Sequence, residues 1–500
     1  MAIVLVLLIF VVLVALYFYL TKNYKYWQKR RIPCPDGIVP GFGHFWDVVM
    51  LKSSLSQICH KFYNENRNRS MIGFYNMMTP SLLILESELV KKVLQTSFVN
   101  FSENGIEVDP ELDPLLANNP FFTTGDEWLT GRKRLTYAFS SMRLKILLET
   151  IKQVCEKFES YLDKKLSKTG KAELELKTLF ARFTSQVVSS AAFGVDGLCF
   201  DEKDKESFYE VGNEFLKPSL WNSIVFNITF FMPWLNKIFK ASILPKKADR
   251  LFRTMVANVI EKRQKEGIRG NDFLQVMVDL ENMNNNKINL DVLTSHAVSF
   301  FLDGYETSSS TLSFVAYQLA THPEVQKKLR EEIVSVINKH NGVTYEALGE
   351  MTYMDQVFKE SMRIIPTVGS QNKICTKEIM LRGSDGLICR VEPGTPVLIS
   401  IMGLHEDPRY WENPKQFDPE RFSRDRKHNI EKFAYLAFGE GPRMCVGMRM
   451  AELQIKACLA MFLRKYSIEL SPKTRLPLRL LSSSFLSYVE GGLWGIIRPL

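Results

Sequence analysis

Residues 438–447 read FGEGPRMCVG, a glycine-rich turn carrying one cysteine and running straight into GMRMAELQIKACLAMFLRKY (447–466), which has helical periodicity. Gly439 and Gly441 let the backbone come close to a flat ligand, where a side chain would block it. Pro442 stiffens the turn. Cys445 falls at a helix N-terminus, whose N–H groups and dipole favour a thiolate. A thiolate is a soft, strongly donating ligand for iron. Arg443, two residues away, is in reach of an anionic group. The plainer alternative is a buried cysteine in a tight turn, the usual fate of an intracellular cysteine. Spacing decides against it: Phe438, Gly441, Arg443, Cys445 and Gly447 fill F-x-x-G-x-R-x-C-x-G, with a chance on the order of 10⁻⁴ in a chain of average composition.

Working outward, the 500 residues are 46% hydrophobic and contain no linker, repeat or charge run that would divide residues 45–500, so one large domain is expected there. Residues 1–20, MAIVLVLLIFVVLVALYFYL, carry no charge and as a helix span about 30 Å, enough to cross a bilayer core. Residues 21–44 form a basic, proline-rich linker: Lys22, Lys25, Lys29, Arg30 and Arg31 precede the first acid, Asp36. That asymmetry leaves the body on the cytoplasmic side. Eight scattered cysteines without a CxxC pair argue against zinc and against a disulfide framework. The net charge of +9 has no compact basic motif behind it, which favours an acidic protein partner or anionic lipid over nucleic acid.

Helical periodicity dominates, near 128–165, 172–193, 205–218, 245–265, 289–320, 323–338 and 447–465. Strand signals are confined to 72–85 and 390–402, with a hairpin expected near the C-terminus. The class is mainly α with a small β part. Thr321 reads as the N-cap of a new helix containing Pro323 and Glu324. The aromatic segment 215–236 reads either as a buried helix pair or as a second, monotopic membrane contact.

With the cysteine loop, the anchor and this periodicity together, the chain resembles the cytochrome P-450 family of microsomal haem-thiolate monooxygenases, in an insect detoxification-type form. The resemblance runs from anchor to C-terminus. It implies the cytochrome P-450 fold, a single large haem domain, haem b with the Cys445 thiolate as axial iron ligand, and thiolate donation that favours O–O cleavage. It makes Phe438, Gly439, Gly441, Arg443 and Gly447 cofactor-binding, and gives Trp128 and Arg132 to the haem propionates, with Lys373 a weaker contact. It also makes Glu360, Arg363 and Arg421 a buried structural ion network. In SFFLDGYETSSSTLSF (299–314) it gives Gly304 to haem clearance, and Glu306 and Thr307 to proton delivery. Ser308–Thr311 fit hydroxyl back-bonding to the helix. Asp303 departs from the family pattern, which has Ala or Gly there. It reads either as a negative pole for cationic substrates or as a carboxylate turned into a hydrogen bond with a neighbouring loop. The second is preferred, because an unpaired carboxylate there is costly.

The resemblance further implies an NADPH-dependent monooxygenase of the endoplasmic reticulum membrane that inserts one atom of O₂ into a lipophilic molecule. Electrons would come from NADPH–cytochrome reductase, aided by cytochrome b5. The docking surface expected for them groups Arg132, Lys133, Arg134, Arg143, Lys145, Arg449, Lys456, Arg464 and Lys465. Substrate contacts would come from Phe101, Phe121 and Phe122, from 215–235, from Phe300 and Phe301, from 365–370 and from Phe485. The rivals are a haem-thiolate isomerase or dehydratase working without a reductase, and a non-enzymatic haem sensor.

Overall fold

In the computed structural model, residues 1–500 are described except Lys168 and residues 284–288; the side chains of Phe215, Phe231, Pro233 and Trp234 also lie outside the described residues, so the reading of 215–236 falls partly beyond them. The fold is mainly α with a small β part.

Ala2–Thr21 is one helix with no buried residue, long and apolar enough to cross a membrane. The chain after it does not stand off from the body. Trp27 is buried, its indole N–H donates to the Phe74 carbonyl at 2.9 Å, and Gly73 leaves room for its ring: a Cβ there would lie 2.2 Å from Trp27.

A four-stranded sheet takes the order Met71–Asn76, Thr79–Ile84, Pro396–Ser400, Ser370–Ile374, with only its central pair parallel. Its apolar residues and Trp27 form one core; the helices form the other. Near the C-terminus the chain closes a short antiparallel turn over 479–490, but the last strand is not part of it. Trp494–Pro499 instead pairs with Tyr466–Leu470 on one side and Ala172–Glu175 on the other.

Leu290–Thr321 crosses the helical core and is buried along most of its length, chiefly against Leu176–Val188. It meets the expected bounds. The expected helix at 128–165 is two, Gly125–Ala138 and Ser141–Leu166, because Ser140 takes an extended N-cap conformation. Thr321 is not an N-cap: its hydroxyl donates back to the Tyr317 and Gln318 carbonyls, and His322 caps Pro323–His340.

Candidate active site

The cysteine loop and the long helix face one another across a cavity of about 910 Å³, lined by Phe438, Gly439, Arg443, Cys445 and Gly447 on one side and by Asp303, Gly304 and Thr307 on the other. Within the loop the Cys445 N–H donates to the Phe438 carbonyl at 2.8 Å, and Met444 N–H to Gly441 at 3.0 Å. The helix Met448–Lys465 starts immediately after it. The Cys445 sulfur opens onto the cavity deep inside the body. Burial pushes its thiol up to about 11, against the pull of the Gly447 and Met448 N–H groups and Arg132. The helix-terminal N–H groups do pull towards the thiolate, as expected, and ligation of iron would supply what desolvation opposes.

The two loop glycines do different jobs. Gly439 (φ +69°) faces the cavity, and a Cβ there would meet nothing closer than 3.8 Å. At Gly441 (φ +79°) a Cβ would lie 1.9 Å from the Leu94 carbonyl oxygen, so this glycine admits a neighbouring segment of the protein rather than a ligand. Gly304 lines the cavity, but its missing Cβ points at Val188 on the adjoining helix, 3.3 Å away.

Arg132 and Arg443 also line the cavity. Arg132 donates to the Met444 carbonyl at 2.5 Å. Arg443 donates to the carbonyls of Ser102, Pro120 (3.1 Å) and Thr123 (2.8 Å), and stacks over Trp128 at 4.5 Å. Burial brings Arg443 down to about 10. Lys373 stands behind them rather than in the cavity wall: fully buried, it donates to Asn104 at 2.7 Å, and burial lowers it to about 7. Among the described residues, none of these three cations has a carboxylate within ion-pair distance. Converging cations without an acid, around a floor of cysteine sulfur and bare glycine, fit an iron-bearing macrocycle with anionic substituents.

Behind the loop, Glu360 and Arg363 are wholly buried and joined by two bonds of 2.7 and 2.8 Å, with Arg421 on the same carboxylate at 3.2 Å. Arg363 also donates to the His405 carbonyl at 2.8 Å, and the His405 ring bonds the Arg363 carbonyl and the Leu436 N–H at 2.9 Å. Leu436 in turn accepts from Gly439 N–H at 2.9 Å. Buried beside Arg363, His405 is held neutral, its pKa down to about 3. This histidine was missed in the sequence, where it sits in no motif.

On the long helix, Thr307 donates to the Asp303 carbonyl at 2.6 Å and lines the cavity, where its oxygen can still accept. Asp303 accepts a bond from Asn119 Nδ2 at 3.0 Å, the loop tether that the sequence reading preferred. Glu306 is buried between the main cavity and a smaller one of about 220 Å³, and touches both. It pairs with Lys177 at 2.8 Å and accepts a short bond from Tyr488. Neither partner was foreseen, because both are remote in sequence.

Of the expected aromatic wall, Phe121, Phe122, Phe300 and Phe485 line the cavity, as do Trp221, Phe226 and Phe230. Phe101 and Phe301 do not: Phe101 is in the sheet core, and Phe301 stacks on Tyr305 at 5.0 Å, about 100° round the helix from its neighbour Phe300. The grouped cations thin out as well. Arg134, Lys145, Lys456 and Lys465 pair with Glu281, Glu346, Asp355 and Glu159, leaving Lys133, Arg449 and Arg464 among the exposed members.

Cytochrome P450 is the family that matches, over residues 34–493. The chain belongs to that family, and so binds haem through a cysteine thiolate; Cys445 is that cysteine. Among its relatives, cytochrome P450 6j1 of Blattella germanica is 31% identical, covering 96% of this chain and 95% of that one. Cytochrome P450 6B2 of Helicoverpa armigera is 32% identical over 97% and 96%. The probable cytochrome P450 6a13 of Drosophila melanogaster is 32% identical over 99% of each.

Proposed function

We propose that this chain is a membrane-anchored monooxygenase of xenobiotic metabolism, inserting one oxygen atom of O₂ into a lipophilic molecule with electrons from NADPH–cytochrome reductase, with cytochrome b5 as a second donor. The observation that carries this is one aromatic-walled cavity with Cys445 at its floor and an acid–hydroxyl pair, Glu306 and Thr307, on its facing helix. We read the domains as anchor (1–20) and haem domain (45–500), with the expected linker 21–44 packed onto the body through Trp27 and Ile32 rather than standing off from it, in the endoplasmic reticulum membrane with the body in the cytoplasm. Trp221, 70% exposed, lies both on the surface and in the cavity wall, which supports a lipid contact at the mouth through which apolar substrates enter.

Haem b, when bound, would supply the iron for oxygen activation. The chain's own residues set the conditions. Arg132, Arg443 and Trp128 hold the anionic edge, and Gly439 clears the flat face. The apolar wall excludes water and orients the substrate. Protons enter through the smaller cavity, where Lys177, Tyr488 and Glu306 meet. Glu306 passes them towards water held by the Thr307 hydroxyl.

Reconstitution with reductase and NADPH over a panel of steroids, fatty acids and plant toxins tests the reading. Substrate-stimulated NADPH consumption with oxygenated product is expected. A haem-loaded protein that consumes no NADPH with any of them would point to an isomerase or a sensor instead. Thr307→Ala is expected to lower product per NADPH by at least ~10-fold.

A further inference from the structure

Asp303 sits where the long helix meets the cavity, in the same wall as Gly304 and Thr307 and facing the Cys445 side. Its only hydrogen bond among the described residues comes from Asn119 Nδ2, to Oδ2. That donor cannot turn away. Asn119 is buried, and its own oxygen accepts the Phe121 N–H at 2.8 Å, which fixes the amide with its NH₂ towards Asp303. Asp303 is thus aimed and held by one neutral donor, with its second oxygen unassigned. No described Lys or Arg pairs with it. The other acids of this wall are Glu306, which already has Lys177, and Glu214, which is exposed. The cavity that it faces is walled in part by aromatic side chains, among them Phe121, Phe122 and Phe300.

From this geometry we infer that Asp303 is a specificity residue that selects lipophilic substrates bearing a basic nitrogen, with the ammonium on Oδ1 and the apolar remainder against the aromatic wall. A carboxylate that faces a largely apolar cavity with one neutral partner is costly, and an ammonium supplies both charge and donor. Aromatic faces add attraction for the same cation. Burial holds Asp303 up to about 6, a rise that an adjoining cation reverses. The inference rests on reading the cavity as the seat of a lipophilic substrate.

The test is equilibrium binding to the haem-loaded, full-length protein of dimethyl(phenylbutyl)amine and of its hydrocarbon isostere, in which carbon replaces nitrogen. It is followed by equilibrium dialysis and by the shift of the haem absorption band. Trimethyl(phenylbutyl)ammonium, which cannot ligate iron, separates charge recognition from nitrogen coordination. The wild-type protein is expected to prefer the tertiary ammonium by about tenfold or more, the worth of one charge-assisted contact, and the quaternary cation, which brings charge without a donor, by a smaller factor above one. Asp303→Asn, which keeps shape and can keep the Asn119 contact, is expected to bring that ratio close to one. A wild-type ratio near one, or a preference that survives Asp303→Asn, overturns the proposal; the first needs no variant to fold. Preference for the cation without any NADPH-driven turnover would sink the monooxygenase reading alone. Turnover of neutral lipophiles with a ratio near one would sink this inference alone.

Discussion

His405 shows how one side chain, with no reaction to perform, ties the loop that holds the metal to the rest of the body. Its two ring nitrogens bridge the Arg363 carbonyl and the Leu436 N–H, so it joins the buried Glu360 network to the cysteine loop only in its neutral form. The ordinary histidine value is 6.5, and here it falls to about 3. Between those values the unfolded chain binds a proton that the folded one refuses, so stability drops as pH falls through this window. His405→Gln lacks that titration. Chemical denaturation against pH is expected to show wild type more stable at pH 7, with its advantage shrinking by about 1.4 kcal/mol per pH unit below 6.5. A constant difference would mean that His405 is not held neutral.

The two glycines of the loop look alike in sequence, and only the packed elements separate them. Both have positive φ, so alanine strains either by roughly 1–2 kcal/mol. At Gly441 it also drives into the Leu94 backbone, which cannot swing aside as a flexible side chain would. Gly441→Ala is therefore expected to lower the thermal midpoint and haem retention well beyond Gly439→Ala; equal losses would remove the distinction. The long helix offers a second contrast. Tyr488, raised well above its ordinary value by burial and by Glu306, stays protonated and clamps that carboxylate. Tyr488→Phe is expected to speed the proton-dependent step about tenfold, the worth of a hydrogen bond to a charged group. Rates and solvent isotope effects on NADPH consumption would measure it, and no change in either would mean that Glu306 works without leaving its clamp.

How much could be read beforehand follows from what each feature depends on. Cys445, Glu306, Thr307 and the long helix were legible because spacing along one helix or turn defines them. So was Asp303's tether, since a carboxylate at that depth needs a donor. Lys177, Tyr488, Asn119 and His405 were not, because they reach the site from other elements and leave no local pattern. Phe101 and Phe301 were misplaced for the converse reason: an aromatic residue near the right position says nothing of which way it points. The four neutralised cations required knowing which acids stand opposite.

At the scale of the whole molecule, the anchor and the body are separable. Ala2–Thr21 buries nothing, whereas Trp27 and the residues after it belong to the sheet core. Deleting residues 2–21 is expected to leave a haem-binding body with an unchanged thermal midpoint, still partly membrane-bound in a flotation assay through the exposed Leu220, Trp221, Ile238 and Phe239. Deletion extended past Trp27 is expected to destabilise the body by several kcal/mol, about 3–5 for the indole alone. Equal stability of the two truncations would refute that boundary.

Tyr488 and Phe485 carry one last consequence, for the order in which the protein is made. Both residues follow the cysteine loop in sequence, so the wall of the cavity is not complete when Cys445 leaves the ribosome. A chain still in synthesis at that point therefore carries its cysteine loop on an unfinished pocket, open where Tyr488 and Phe485 later close the wall.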